Sequence, residues 1–536
     1  MIVISNQIKY IDAVHKEISW AYKRHKYYKK RDQVKAQQFK AQYKEKKVEF
    51  RRLQMRAMQQ QEYVESGRLE SMMSTDPRRF WHQVAATGVE RKHLKLEMFE
   101  LEKIFTDWFT KPSVSTSEKQ NEKLVQSRET TRSYAMPGNV YIAAETLNGI
   151  VNKLANGKAI GPDHVSNEMI KHSWSSTMLV IHKNFLEAAI NMGAFPRNFN
   201  NGLLYPILKD QNAPCDDSKN ARPITVSNAL ANIYERLVLA EIDVCYKLSD
   251  HQMGFRREAS TSHATYLLRR TIEEYEREHP QETIYVAALD ASKAFDKLLR
   301  PILFEKLSRI LDVIYMRSLQ RYYDQSVIFI KQNEQESERI KTTIGVKQGG
   351  PLSPRLFSLY VESLIDELNA SNLGLMVCGR RLTALMYADD IILVCNSKNK
   401  LLTLLKICER FGLRNGIKWN PEKSQLIRFP KRSRGGVDVR FCGRTLEETN
   451  NIKYLGMMVS SDLHNKIHVD ERLTKAIRAL AAVRRMGFHS LVLSNKTKLD
   501  LYKTLIRPVL YFGIETLRLT TAQLDRIQTF EANTIK

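Results

Sequence analysis

Two neighbouring carboxylates are the residues of this chain best placed to do chemistry. Asp389 and Asp390 lie between two apolar runs, LTALMY and IILVC, which read as the strands of a hairpin. Like charges side by side repel and raise each other's pKa unless a cation sits between them. A third carboxylate, Asp290, ends the run TIYVAALD, another strand pattern. If that strand lies beside the hairpin in one sheet, Asp290, Asp389 and Asp390 converge on one edge. Three hard oxygen donors with no His or Cys nearby favour Mg²⁺ or Mn²⁺ over zinc. Two such ions about 3.5–4 Å apart activate a 3′-hydroxyl and stabilise the leaving pyrophosphate of an in-line phosphoryl transfer. An isolated Asp-Asp pair is more often a plain polar turn, so the flanking sequence has to decide.

Those carboxylates need a sheet to hold them. Between about residues 145 and 465, helical stretches alternate with short runs (GLLYPIL, TIYVAAL, SVIFIK, LTALMY, IILVC, SQLIRF), the pattern of an α+β domain. The run SKAFDKLLRPILFEKL after Asp290 reads as one helix, with Asp296 in its first turn complementing the helix dipole. Residues 1–66 contain no Gly and no Pro, which predicts one or two long helices, and a helical pattern continues to about Phe109. Residues 110–144 are polar and almost without periodic apolar positions, as in a solvated linker. From 466 to 536 apolar residues recur at three and four, and the chain is helical again.

Charge points to the partner. The 536 residues carry 84 Lys+Arg against 59 Asp+Glu, a net charge of +25, and 43% are apolar, too many for a mainly disordered protein. Such a surplus suits a polyanion whose released counterions drive binding. Residues 1–70 hold 17 Lys+Arg and 8 Asp+Glu, and in YKRHKYYKKR the basic residues interleave with Tyr22, Tyr27 and Tyr28, which suits a phosphate backbone with exposed bases. A solvated helix face is the competing explanation. No apolar run reaches 18 residues and the start is too short for a signal-peptide core, so no membrane is expected and the chain reads as soluble and intracellular. The six cysteines form no C-x-x-C pair and read as reduced.

Tyr387-Ala388-Asp389-Asp390 resembles the YADD box of reverse transcriptases, and Leu289–Lys297 (LDASKAFDK) their other metal-binding box. GKAIGPDHVSNEMIK (157–171) and GVKQGGPLSPRLFSLYVE (345–362) are similar to segments of retrotransposon enzymes without long terminal repeats (non-LTR, LINE-type). LYPILKD with ARPITVSNALANIYERLV resembles their fingers, GLRNGIKWNPEKSQLIRF their lysine-bearing palm segment and IKYLGMMVS their primer grip. The resemblance covers roughly residues 145–520. It implies a right-hand polymerase fold, with fingers and palm over 145–465 and a thumb-like region after it. It also implies an RNA-directed DNA polymerase with two Mg²⁺ ions (or Mn²⁺), whose partners are template RNA, primer or target DNA, and dNTPs. Target-primed synthesis would place it in the nucleus at the site of integration, with the cytoplasm as the alternative. KYYKKR and Lys431-Arg432-Ser433-Arg434 would serve as import signals or phosphate contacts. The oligomeric state stays open.

Carried over residue by residue, the resemblance makes Asp290, Asp389 and Asp390 the metal ligands, with the Ala291 carbonyl completing one sphere. Lys209 and Arg222 would hold the triphosphate; Gln348, Gly349 and Tyr387 would line the nucleotide pocket. Lys423 would protonate pyrophosphate, and Tyr454, Leu455 and Gly456 would hold the primer end. Two features depart from the pattern. Gly350 stands where these enzymes often have Cys, a trait shared with group II intron maturases that keeps a maturase-type reverse transcriptase as the alternative within the class, and no endonuclease or Cys/His cluster is recognisable. The chain is therefore expected to be a fragment of a polyprotein, a degenerate copy or a polymerase using a nick made elsewhere, and a catalytically dead RNA-binding remnant is the rival from another class. The resemblance also places Phe295 where its ring would clash with a ribose 2′-hydroxyl, so deoxynucleotides are expected. Phe295→Ala should admit ribonucleotides in single-nucleotide extension, and unchanged discrimination would show that the ring is not the gate.

Overall fold

The computed structural model describes residues 2–86, 92–113, 139–430, 437–484, 486–488 and 490–535. Most of the expected linker (residues 114–138) and the basic group Lys431–Arg434 lie outside the described residues. The chain divides into two compact units, Met1–Glu90 with His468–Lys536, and Arg91–Ile467.

In the first unit, helices Ile2–Tyr28 and Gln33–Thr75 form a long antiparallel pair. The break between them is set by Asp32, whose side chain accepts the Lys35 N–H at 3.0 Å as an N-cap. The basic-aromatic stretch serves packing as well as the surface. Tyr22 meets Tyr43 and Tyr28 stacks on Phe39 across the pair, while Arg31 lies over the Tyr27 ring at 4.1 Å. Further along, Leu69, Phe80 and Val84 enter one core with Val469, Leu480, Leu501, Ile506 and Leu510. The N- and C-terminal segments of the chain thus share a single apolar interior.

The second unit is built on two sheets. One pairs strand Asn201–Leu208 antiparallel with Ala221–Ser227 and parallel with Val327–Gln332. Residues 92–110, which the sequence pattern runs together with the N-terminal helices, cover this sheet: helix Met98–Thr110 buries Leu101, Phe105, Trp108 and Phe109 against Leu204, Ile328 and Ile330. The other sheet has the strand order 447–448, 425–429, 284–289, 390–395, 384–387. Alternate residues point to opposite faces. Leu289, Ile391, Leu393 and Leu426 join one core, and Val286, Ile392, Val394 and Ile427 the other. Burial on both faces explains why these strands read as almost unbroken apolar runs.

After Asp290 the structure corrects the expected helix. Residues 292–297 are turns, and the helix is only Arg300–Leu307. Tertiary contacts outweigh local propensity here. Lys297 points its ammonium at the carbonyls of Asp107, Trp108 and Lys111, and Lys293 lies 3.2 Å from the Trp108 ring centre. Asp296 is accordingly not a helix-dipole group but a buried side chain, 2% exposed.

The segment that leads to Gln348 hangs on Arg300. Its guanidinium is 4% exposed and donates to the carbonyls of Gly345 (2.9 Å), Tyr323 (3.1 Å) and Thr342 (2.6 Å) and to the Thr342 hydroxyl (2.7 Å). A planar fork meets these acceptors as a lysine could not. Arg300→Met would strand buried carbonyls and should cost about 3 kcal/mol or more. It should appear as a lowered urea midpoint followed by circular dichroism, with Arg300→Lys recovering only part of the loss.

Candidate active site

Register brings the carboxylates together. Strand Ile284–Leu289 pairs antiparallel with Asp390–Cys395 so that Leu289 faces Ile391, and one further step of that register sets Asp290 opposite Asp390. Asp389 sits in the two-residue turn between strands Ala384–Tyr387 and Asp390–Cys395. Ala388, the other residue of that turn, has φ +59°, an uncommon conformation for a side chain with a Cβ.

Neighbours outside the expected boxes hold this turn in place. Gln252, fully buried, accepts the N–H groups of Ala388 (3.2 Å) and Gly254 (3.1 Å), while the Met386 N–H donates to the His251 carbonyl and the Met253 N–H to the Met386 carbonyl. Gly254 approaches so closely that a Cβ there would stand 2.3 Å from the Ala388 nitrogen. The Asp290 side is clamped likewise. Its N–H donates to Ser424 Oγ at 3.1 Å, its carbonyl accepts from the Asn420 N–H at 2.9 Å, and Ala291 bridges to Trp419. The same short segment carries Lys423, so the lysine and Asp290 are positioned by one set of bonds. Sequence reading missed Gln252, Gly254 and Ser424; only the glycine hinted at a close backbone approach.

The charges of these groups act on one another. Burial, the Asp389 charge and the Asp290 charge push Asp390 up to about 6. Asp389 is also raised, by burial first and by Asp290, against the pull of Arg222 and of its own backbone N–H. Lys209 is lowered by burial and by the cations Lys423 and Arg222, which Asp296 and Asp290 offset. Arg222, exposed on its strand, thus acts on Asp389, and Lys209, just past the end of the paired strand, feels Asp290.

Gln348 donates through its side chain to Asp296 at 2.8 Å, and its carbonyl accepts the Thr225 N–H at 2.7 Å, tying the segment to the Arg222 strand. Gly349 follows with φ +118°. Gly350 has a steric reason of its own, since a Cβ would lie 2.7 Å from the buried Glu235 carboxylate. The Phe295 ring stacks on Phe357 with centroids 4.5 Å apart. Tyr454 ends strand Asn451–Tyr454, and Leu455 and Gly456 form its turn with φ of 48° and 83°, the two positive values a type I′ hairpin needs. The Tyr454 hydroxyl is buried, and burial with the nearby Asp390 and Tyr387 raises its pKa.

Among the described residues no three His, Cys, Asp or Glu side chains form a ready-made metal-ligating group. The donor set nonetheless fits a hard divalent cation: adjacent oxygens that raise one another's pKa are what such an ion relieves. No helix of the described residues is long and apolar enough to cross a membrane.

The model of the reverse transcriptase (RNA-dependent DNA polymerase) family matches residues 207–459, a span that contains every carboxylate, cation and turn just described. The chain is 24% identical over 432 residues to the RNA-directed DNA polymerase from mobile element jockey of Drosophila funebris, covering 77% of this chain and 45% of that protein. It is also 24% identical to the Pol polyprotein of the type-1 retrotransposable element R2 of Popillia japonica, covering 66% and 50%. The chain spans about half the length of these relatives. Among solved structures, the apo telomerase of Candida tropicalis aligns over 88% of each chain at 12% identity with a TM-score of 0.39, too low to add to the sheet topology.

Neutralising one carboxylate removes repulsion, so Asp389→Asn should raise the thermal midpoint measured in EDTA. It should also abolish the further rise that Mn²⁺ gives the wild type. A lower midpoint in EDTA would mean that Asp389 is held by contacts rather than strained by its neighbours.

Proposed function

We propose that residues 207–459 form a reverse transcriptase domain of the non-LTR retrotransposon kind and that the protein copies RNA into DNA. The observation that carries this is the register that sets Asp290 opposite Asp390, with Asp389 in the adjoining turn and Lys209, Arg222 and Lys423 around them. The incoming deoxynucleoside triphosphate binds with its phosphates toward Arg222 and Lys209, whose charges match phosphate oxygens. Gln348 and Gly349 line its pocket, with the Phe295 ring against the sugar. Tyr454, Leu455 and Gly456 hold the primer end, their hairpin fixing the backbone there. Lys423 is placed to give a proton to the departing pyrophosphate.

Asp290, Asp389 and Asp390 would hold Mg²⁺, with the Ala291 carbonyl as a further oxygen ligand. When bound, the metal supplies charge stabilisation at the attacking and leaving oxygens. The basic surplus of the chain suits template RNA and the DNA end that serves as primer. Priming from a nicked target would place the reaction at chromosomal DNA. This step rests on the family resemblance of the sequence boxes alone.

The test is extension of a DNA primer on an RNA template with Mg²⁺, comparing deoxy- with ribonucleotides. Wild type should incorporate deoxynucleotides, and Asp389→Asn should lower the rate by roughly a thousandfold or more, as expected when charge stabilisation at the reacting oxygens is lost. A folded, RNA-binding protein that incorporates nothing would overturn the polymerase reading in favour of an inactive remnant.

A further inference from the structure

Asp296 is a buried titratable group beside the site to which the catalytic reading gives no role. It is 2% exposed, and Gln348 Nε2 donates to it at 2.8 Å. The nearby cations are engaged elsewhere. Lys297 is directed at three backbone carbonyls, Lys293 lies over the Trp108 ring, and Lys209 donates to the Lys219 carbonyl at 3.1 Å.

The backbone on both sides of the contact is fixed. The Val346 N–H donates to the Phe295 carbonyl, the Gly345 N–H to the Leu298 carbonyl, and the Thr225 N–H to the Gln348 carbonyl. What remains free is the rotation of the Gln348 amide, whose two ends are nearly equal in shape and opposite in hydrogen-bonding sense. An ionised carboxylate only accepts. It therefore holds the Gln348 NH₂ toward itself and turns the Oε1 acceptor away.

We propose that Asp296 is a positioning residue that sets the orientation of the Gln348 amide, and with it the hydrogen-bonding polarity the pocket presents to the incoming nucleotide. This rests on the polymerase reading and deepens it. Burial pushes Asp296 up to about 6, against the Gln348 hydrogen bond and the charges of Lys293, Lys209 and Lys297. Below that pH the carboxyl group acquires a donor of its own, and either amide orientation becomes acceptable.

The experiment is steady-state single-nucleotide incorporation by the full chain on an RNA template, in a double-mutant cycle of Asp296→Asn and Gln348→Ala. At about pH 8, Asp296→Asn should raise KM for the deoxynucleotide by about fivefold to tenfold, the worth of one hydrogen bond, with kcat within about twofold. In the Gln348→Ala background the same substitution should change nothing further. The ratio of the variant's KM to that of the wild type should fall toward one as the pH drops through about 6. Taking the ratio cancels the titration of Asp389 and Asp390, which both proteins share. Should Asp296→Asn fail to fold, Gln348→Met, which keeps the carboxylate, must show a raised KM that approaches that of the wild type over the same pH range.

Equal effects of Asp296→Asn in both backgrounds, a KM ratio independent of pH, or no change in KM would overturn the proposal while leaving the polymerase intact. A wild type that incorporates no nucleotide would overturn the polymerase reading and this proposal with it.

Discussion

Everything in the second unit answers to one electrostatic constraint: three carboxylates must be kept within reach of one another at the end of a sheet. Repulsion would open such a group if only its own strands held it. The structure opposes this with backbone bonds that do not depend on charge. Ser424 and Asn420 fasten the Asp290 side, and Gln252 fastens the Ala388 turn from the other. Both clamps are short polar contacts in buried surroundings, where a hydrogen bond is strong and its loss costly.

The same division of labour recurs at the pocket. Arg300 satisfies the carbonyls of Gly345 and Thr342, and Glu235 accepts the Leu352 N–H at 3.2 Å and the Tyr322 hydroxyl at 2.7 Å. These groups bracket residues 345–352 from beneath. They leave the Gln348 side chain as the adjustable element of an otherwise fixed segment.

What was legible in the sequence follows the range of the interactions involved. The hairpin strands and the strand before Asp290 announced themselves through local apolar runs bounded by acidic residues, whereas the pairing of strand 284–289 with strand 390–395 shows only in the fold. Lys209, Arg222, Gln348 and Lys423 were reachable through family likeness; the charges of Lys209 and Arg222 act on the carboxylates and that of Lys423 on Lys209, while Gln348 bonds to Asp296. The helix expected across 292–297 failed because good local helix formers there are overruled by Lys297 and Asp296, whose partners lie far off along the chain. Gln252 acts on Ala388 from 136 residues away, a distance at which no periodicity leaves a trace.

Residues 92–110 show the same limit in apolar form. Their helical pattern is continuous in style with the basic helices before them, yet Phe105 and Trp108 are buried under the strands 201–208 and 327–332, and the carbonyls at the helix's end receive Lys297. A helix C-terminus has unsatisfied carbonyls and attracts a cation. In this chain the cation comes from the turn that follows strand 284–289, so the helix braces the loop of Asp290 as well as covering a sheet. An element that composition assigns to one region is thereby recruited to hold another, through a lysine whose role only its partners reveal.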